Sequence, residues 1–149
     1  MSELRIEDSA RLIGKIRLGD EAYIAQGAVL RSRDDAISIG NASWVLENSV
    51  LIGTSAHPIK VGSKTIFGHR CIAIGAEIGN LCEIGNSTIF LPGSKVGHLC
   101  IFGEGTIIPE NAIIPDQSVV VGRPGRVIRR LTTEDKDRIA NLRGNDISL

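Results

Sequence analysis

Histidine and cysteine are the side chains of this chain with the most adaptable chemistry near neutral pH, since an imidazole or a thiolate can accept a proton or bind a metal. The 149-residue sequence contains three of each, and the histidines are His57, His69 and His98. Four arginines cluster near the C-terminus, where they could bind an anion, contact another subunit or lie on a solvated surface: Arg123, Arg126, Arg129 and Arg130. What these groups can do depends on the elements that position them.

A six-residue repeat dominates the second half of the chain. An aliphatic or aromatic residue recurs at every sixth position, at Ile78, Ile84, Phe90, Val96, Phe102, Ile108, Ile114 and Val120. This spacing fits neither a helix nor simple alternation. Each hexapeptide is therefore interpreted as a short strand with the repeated residue pointing inward, followed by a turn in which the next residue, often Gly, tolerates positive φ. Three strands predict a triangular coil, and coils stack with parallel strands about 4.8 Å apart.

The cysteines fit this repeat as structural residues. Cys71, Cys82 and Cys100 all occupy the small, inward position four residues after the repeated aliphatic residue. A buried cysteine behaves as a small hydrophobic side chain, which that position requires. Cys82 and Cys100 are 18 residues apart and should stack on adjacent coils. A disulfide between them is geometrically possible, but a reducing compartment disfavours it.

Composition excludes several classes of function. Lysine and arginine number 17 and so do aspartate and glutamate, while aromatic residues make up 3% of the chain. A balanced charge gives no general reason to expect nucleic acid or membrane partners, and so few aromatic residues cannot form base-stacking platforms. No apolar run approaches the roughly 20 residues of a membrane span, and the N-terminus lacks a signal-peptide pattern. We expect one soluble, cytoplasmic domain covering residues 1–149.

The pattern also predicts internal boundaries. The β-helix is expected over residues 13–121, a turn and short strand over 122–131, and a C-terminal helix over 132–143. Thr132 followed by Asp135 is typical of a helix N-cap. The six-residue phase breaks after Leu30 and again after Leu51, where extra residues must bulge at corners of the solenoid. Such loops are where solenoids usually carry function.

Four segments carry a more specific resemblance. They are Arg31–Arg33, Glu47–Ile52, Gly68–Ile74 and Val121–Val127. Their placement over residues 14–131 resembles the γ-class carbonic anhydrase-like branch of the hexapeptide-repeat, or isoleucine-patch, superfamily. The resemblance implies an all-β fold, a left-handed parallel β-helix with a short C-terminal α-helix.

The same resemblance addresses metal binding. Active γ-class enzymes bind zinc through three histidines at a subunit boundary, and the matching positions here are Ile52, His69 and Ile74. Isoleucine cannot coordinate a metal. An aspartate of the family is replaced by Arg33, whereas its arginine is retained as Arg31. The resemblance therefore implies an intersubunit site of these five residues, with no zinc and no other metal cofactor.

His57 supports a different interpretation. The segment Ser55–Pro58 is similar to the Thr-His-Pro context of a catalytic histidine in sugar acetyltransferases of this superfamily. In that alternative, His57 is the general base of a coenzyme A-dependent acyltransferase, and Glu47 is the only nearby acid to orient it. Active carbonic anhydrase with reorganised ligands, such as His57 and His69, is a third interpretation, although it leaves at most two histidines per site.

The outward aliphatic residues predict an assembly. Ile52, Ile72 and Ile74 are expected on the outside of the solenoid, where exposed hydrophobic patches need cover. Related solenoids form homotrimers with roughly parallel axes, and the resemblance implies the same here. The leading interpretation is a metal-free trimeric scaffold or small-ligand binder, and the sequence does not decide whether it is an enzyme.

Overall fold

The computed structural model describes residues 3–144, which form a solenoid of about six turns with three parallel sheets. Sheet A contains β1 (Arg5–Ile6), β4 (Tyr23–Ile24), β7 (Trp44–Val45), β10 (Ile66–Phe67), β13 (Glu83–Ile84), β16 (Ile101–Phe102), β19 (Ser118–Gly122) and β20 (Gly125–Arg130). Sheet B contains β2 (Arg11–Ile13), β5 (Val29–Ser32), β8 (Val50–Gly53), β11 (Ile72–Ile74), β14 (Ile89–Phe90) and β17 (Ile107–Ile108). Sheet C contains β3 (Ile16–Leu18), β6 (Ile37–Ile39), β9 (Ile59–Val61), β12 (Glu77–Ile78), β15 (Lys95–Val96) and β18 (Ile113–Ile114). The predicted fold class is confirmed.

The repeated aliphatic residues fill the interior, as the spacing predicts. All eight are buried and belong to one continuous core. Successive coils place them in register, so that Phe90 of sheet B stacks beside Ala73 and Ile108. Phe90 also makes edge-to-face contacts with Phe67 and Phe102, at centroid distances of 6.2 and 5.1 Å. No coil could bury these side chains alone, which is why the repeat must stack.

The turns are built differently from the prediction. The left-handed residue is the third after each inward aliphatic residue, as at Leu81 and Leu99, with φ of 59° and 57°. The glycine directly after the aliphatic residue has no positive φ; it is needed because coils approach closely there. A Cβ added to Gly79 would lie 2.6 Å from the carbonyl oxygen of Gly97. Steric contact between coils, and not backbone conformation, selects this glycine.

Both ends of the solenoid depart from the regular repeat. The parallel sheets begin at Arg5, earlier than the expected start at residue 13, since a full coil (β1 to β3) precedes the first clear repeat. At the other end, β20 pairs antiparallel with β19. A single helix follows within residues 3–144, α1 (Thr133–Leu142), and the Thr132 hydroxyl and Asp135 carboxylate form the predicted capping box at its N-terminus. This helix is too short to cross a bilayer, and no other helix lies in the described range.

The three outer faces have different chemistry. Sheet B presents a column of aliphatic side chains in register: Val29, Val50, Ile72, Ile89 and Ile107. The corresponding column of sheet C is mostly polar or charged: Arg17, Ser38, Lys60, Glu77, Lys95 and Ile113. Helix α1 packs on sheet A, where Ile139 is fully buried against Leu81 and Leu99.

Candidate functional site

Ile52 and Ile74 are direct neighbours on the outer face of sheet B. They pair in register at the ends of β8 and β11, although 22 residues separate them in sequence. Arg31 occupies the next strand of the same column, paired with Ile52. The extra residues of the second phase break bulge at the corner, so they do not disturb this register. The structure therefore brings three of the five predicted site residues into one column.

His69 lies at the opposite edge of the same face and contacts a carboxylate. Its Nδ1 is 3.1 Å from Oε1 of Glu47, which occupies the same corner one coil earlier. The His69 backbone N–H donates to Oδ1 of Asn86 on the next coil, at 2.8 Å. Both partners of the pair keep more than two fifths of their side-chain surface exposed, 44% for His69 and 42% for Glu47. The imidazole is thus held by its neighbours while part of it stays accessible.

His69 cannot meet Ile52 and Ile74 within one chain. His69 precedes β11 and Ile74 ends it, so four residues of mostly extended chain lie between them, a span of about 15 Å. A site that contains all three positions requires a second copy of the chain, whose corner would face this edge of sheet B.

Comparison with known proteins gives the family. A probable carbonic anhydrase of Methanocaldococcus jannaschii is 33% identical over 132 residues, which cover 89% of this chain and 83% of that protein. The mitochondrial gamma carbonic anhydrase 1 of Arabidopsis thaliana is 27% identical over 139 residues. This chain belongs to the γ-carbonic anhydrase-like branch of the hexapeptide-repeat superfamily.

Two further results define the extent of that likeness. The chain spans about half the length of the curated relatives from Arabidopsis, 50% and 54%. The crystal structure of a hexapeptide transferase family protein from Anaplasma phagocytophilum matches with a TM-score of 0.76 at 23% identity, covering 95% of this chain and 92% of that one. At such low identity the match shows the fold alone. A scan against protein-family models found no match.

The side chains of this γ-carbonic anhydrase-like chain do not fit the zinc site that the resemblance implies for active γ-class enzymes. Ile52 and Ile74 supply only hydrocarbon, and catalytic zinc needs three protein ligands and one open position. Within residues 3–144 of one chain, no three His, Cys, Asp or Glu side chains group closely enough to hold a metal ion. Arg33, exposed just after β5, adds positive charge near this edge. Among the described residues, neither Arg31 nor Arg33 has a side-chain hydrogen bond or ion pair.

The structure separates His57 from the acid suggested for it. His57 is exposed in the loop between β8 and β9, at the corner of sheets B and C. Its backbone N–H donates to Oγ1 of Thr54, at 3.2 Å, and nothing in the described range bonds to its imidazole. Glu47 lies at the other edge of sheet B and pairs with His69. The expectation that Glu47 orients His57 is wrong, because successive corners of a triangular coil point in different directions.

His98 is part of a hydrogen-bonded corner of the solenoid. Its Nδ1 accepts the backbone N–H of Asn80, and its own backbone N–H donates to Oδ1 of Asp116, both at 2.8 Å. Asn80 in turn accepts the N–H of Ser63 through Oδ1. An acceptor Nδ1 fixes the neutral tautomer with the proton on Nε2. His98 therefore performs the structural task that asparagine and aspartate perform on neighbouring coils.

The cysteines are core residues, as predicted. All three are free and fully buried. Cys82 and Cys100 each donate to a carbonyl oxygen of the following coil, at 3.2 Å. Burial raises the pKa of the Cys71 and Cys82 thiols, which disfavours the reactive thiolate.

Two features of the surface were missed by reasoning from the sequence. One is the Glu47–His69 pair, since the 22-residue separation includes a loop and disguises their stacking on one corner. The other is the face on which the predicted C-terminal helix packs, for which a signal exists. Leu81 and Leu99 occupy the same turn position of adjacent coils, and two leucines at a turn indicate that something packs on that corner.

Proposed function

We propose that the chain forms a homotrimer that binds a small anionic organic ligand at its subunit boundary and uses no catalytic metal. The observation that carries the proposal is the register pairing of Ile52 with Ile74, the two positions at which the resemblance to γ-class carbonic anhydrases implies zinc-binding histidines. Two branched hydrocarbon side chains make an apolar floor. Arg31 lies beside that floor, and Arg33 follows directly after the same strand.

The positive charge of the two arginines indicates that the ligand is an anion. At a subunit boundary, the guanidinium groups of Arg31 and Arg33 lose water and need a negative partner, because an unpaired buried charge is costly. Guanidinium binds carboxylate in a two-pronged geometry. A small organic anion with an aliphatic part satisfies both the arginines and the isoleucine floor. Glu47 of a neighbouring copy is the competing partner.

The proposal is tested by measuring the metal content of the unaltered protein and of a variant with added histidine ligands. The purified protein should contain no stoichiometric zinc, iron or cobalt by elemental analysis. The double change Ile52→His and Ile74→His should create zinc binding in the trimer, since it restores three imidazoles at the boundary. One metal per subunit in the unaltered protein would overturn the proposal. If the double variant is trimeric yet binds no zinc, adding Arg33→Asp tests whether positive charge excludes the ion.

Acyl transfer is a second candidate, favoured by the Glu47–His69 pair. A carboxylate that accepts from Nδ1 leaves Nε2 free to take a proton from an acceptor amine or hydroxyl, the arrangement used in general base catalysis. This moves the base from His57 to His69. Incubation with acetyl-coenzyme A and a panel of amines and sugars should release free thiol. His69→Asn and Glu47→Gln should reduce the rate, whereas His57→Ala serves as the matched control and should not. Absence of thiol release across the panel would remove this candidate.

A further inference from the structure

An open groove lies on sheet A, away from the sheet B site. It has a volume of about 580 Å³, within the range of small-molecule sites. The outer side chains of three consecutive strands form its floor, because the registers place Tyr23, Trp44 and Ile66 side by side. The end of helix α1, at Leu142 and Arg143, forms one wall.

The wall is held in place by a part-buried ion pair. The Arg143 guanidinium bonds to the Glu83 carboxylate, and their side chains are 7% and 18% exposed. Arg143 Nε also donates to the carbonyl oxygen of Lys64, at 3.1 Å. These two contacts fix the end of the helix against the sheet. The groove therefore exists before any ligand enters, which lowers the entropic cost of binding.

Aromatic side chains outside the core are confined to this groove. The chain has one tryptophan, one tyrosine and three phenylalanines, and all three phenylalanines are buried. Trp44 and Tyr23 contact each other edge to face, at a centroid distance of 6.1 Å. Trp44 nevertheless remains 43% exposed. Together with exposed Leu142, it offers a flat apolar surface on which a planar ring can stack.

A guanidinium beside the rings gives the groove an anion-binding group. Arg5 lies over the Tyr23 ring, 4.5 Å from its centroid. The Arg5 side chain keeps 65% of its surface exposed, so its planar guanidinium is accessible to a carboxylate. Arg5 forms a long ion pair with Glu7, 3.8 Å from Nε to Oε1, so a ligand carboxylate must compete with Glu7 for the guanidinium. Glu3 and Glu21 also line the groove and disfavour a multiply charged anion such as a phosphate.

We propose that this groove binds a planar aromatic monocarboxylate, with its ring on Trp44 and its carboxylate on Arg5. This site is independent of the boundary site proposed above, because it uses a different face and different residues. The double change Ile52→His and Ile74→His should therefore leave ligand binding in the groove unchanged.

The only tryptophan in the chain lies on the floor, so its fluorescence reports on the groove directly. Benzoate should change Trp44 emission in a saturable manner. Cyclohexanecarboxylate keeps the charge without the ring, and benzamide keeps the ring without the charge. Each should bind at least about tenfold more weakly, since each loses one of the two interactions. Equal affinity for benzoate and cyclohexanecarboxylate, or no response to benzoate, would overturn the proposal.

Variants locate the site. Arg5→Gln should weaken benzoate binding about tenfold, and Arg126→Gln, at an exposed position of β20, is the matched control that should not. Both positions are on the surface, so the melting temperature should not change. Two other outcomes would overturn the proposal. Trp44 emission that depends on protein concentration without ligand would assign the groove to a second copy. Binding only after removal of residues 145–149 would assign it to the chain itself.

Discussion

The outer faces of sheets A and B are both partly apolar, yet residues 3–144 place a helix on only one of them. Over sheet A, helix α1 buries Ile139 against Leu81 and Leu99. Over sheet B, the aliphatic column through Val50 and Ile72 has no such cover, because the single helix of residues 3–144 packs elsewhere. The inner faces of the two sheets belong to the same core. The repeat therefore determines the interior of the solenoid, whereas the outward side chains determine what packs on each face.

The largest effect on stability is expected where helix α1 packs on sheet A. Ile139→Ala should lower the free energy of unfolding by about 2–5 kcal/mol, since the side chain is fully buried between helix and sheet. Chemical denaturation measures this loss. Leu142→Ala, at an exposed position of the same helix, is the control. Similar losses for the two variants would contradict the proposed role of Ile139 in docking the helix.

The next largest loss of stability is expected at the Glu83–Arg143 ion pair, which holds the end of helix α1 against sheet A. Glu83→Gln leaves the Arg143 guanidinium part-buried without a charged partner, and breaking such a pair costs up to about 3 kcal/mol. Glu104→Gln is the matched change on an exposed turn. Faster proteolysis of the C-terminal helix should accompany the first change and not the second. Unaltered proteolysis would show that Ile139 alone docks the helix.

On sheet B the expected effect is loss of assembly. Ile72→Glu places a charge in the middle of the aliphatic column and should convert the proposed trimer to a 15.9 kDa monomer. Lys60→Glu, on the polar face of sheet C, should leave the mass unchanged. Light scattering distinguishes the two. A monomeric mass for the unaltered protein at micromolar concentration would refute the trimer itself.

The smallest effect concerns the start of the helix over sheet A and depends on pH. The Arg129 guanidinium and the backbone N–H of Thr132 hold the pKa of Asp135 below its usual range. A depressed pKa stabilises the fold above the unfolded pKa of about 3.9 and loses that contribution as pH falls below it. Helicity should therefore decrease on acidification below about pH 4. The loss of this helix cap should lower the free energy of unfolding by about 1 kcal/mol. Asp135→Asn should weaken this dependence in circular dichroism; an unchanged acid transition would contradict the assignment.

Prediction from sequence succeeded for the repeated aliphatic positions and for the local motif at the start of the helix. The aliphatic positions predicted the strands and the core, and Thr132 with Asp135 predicted the helix N-cap. Prediction failed where a side chain depends on another coil. Glu47 was assigned to His57 because the two are close in sequence, but stacking of the coils places it beside His69. The predicted site residues Ile52 and Ile74 lie side by side because the loop insertion between them falls at a corner.

The sequence by itself determined the coil, since a strict period of six allows only one way to bury its aliphatic residues. Through the resemblance, it also predicts isoleucine at two of the three ligand positions. Only the tertiary structure decided the turns, where the left-handed residue is Leu81 and contact between coils requires Gly79. It also decided the groove, in which Leu142 of the helix faces Trp44 of a strand 98 residues earlier. A short repeat encodes contacts between adjacent coils, whereas contacts between the solenoid and its C-terminal segment arise only when the chain has folded.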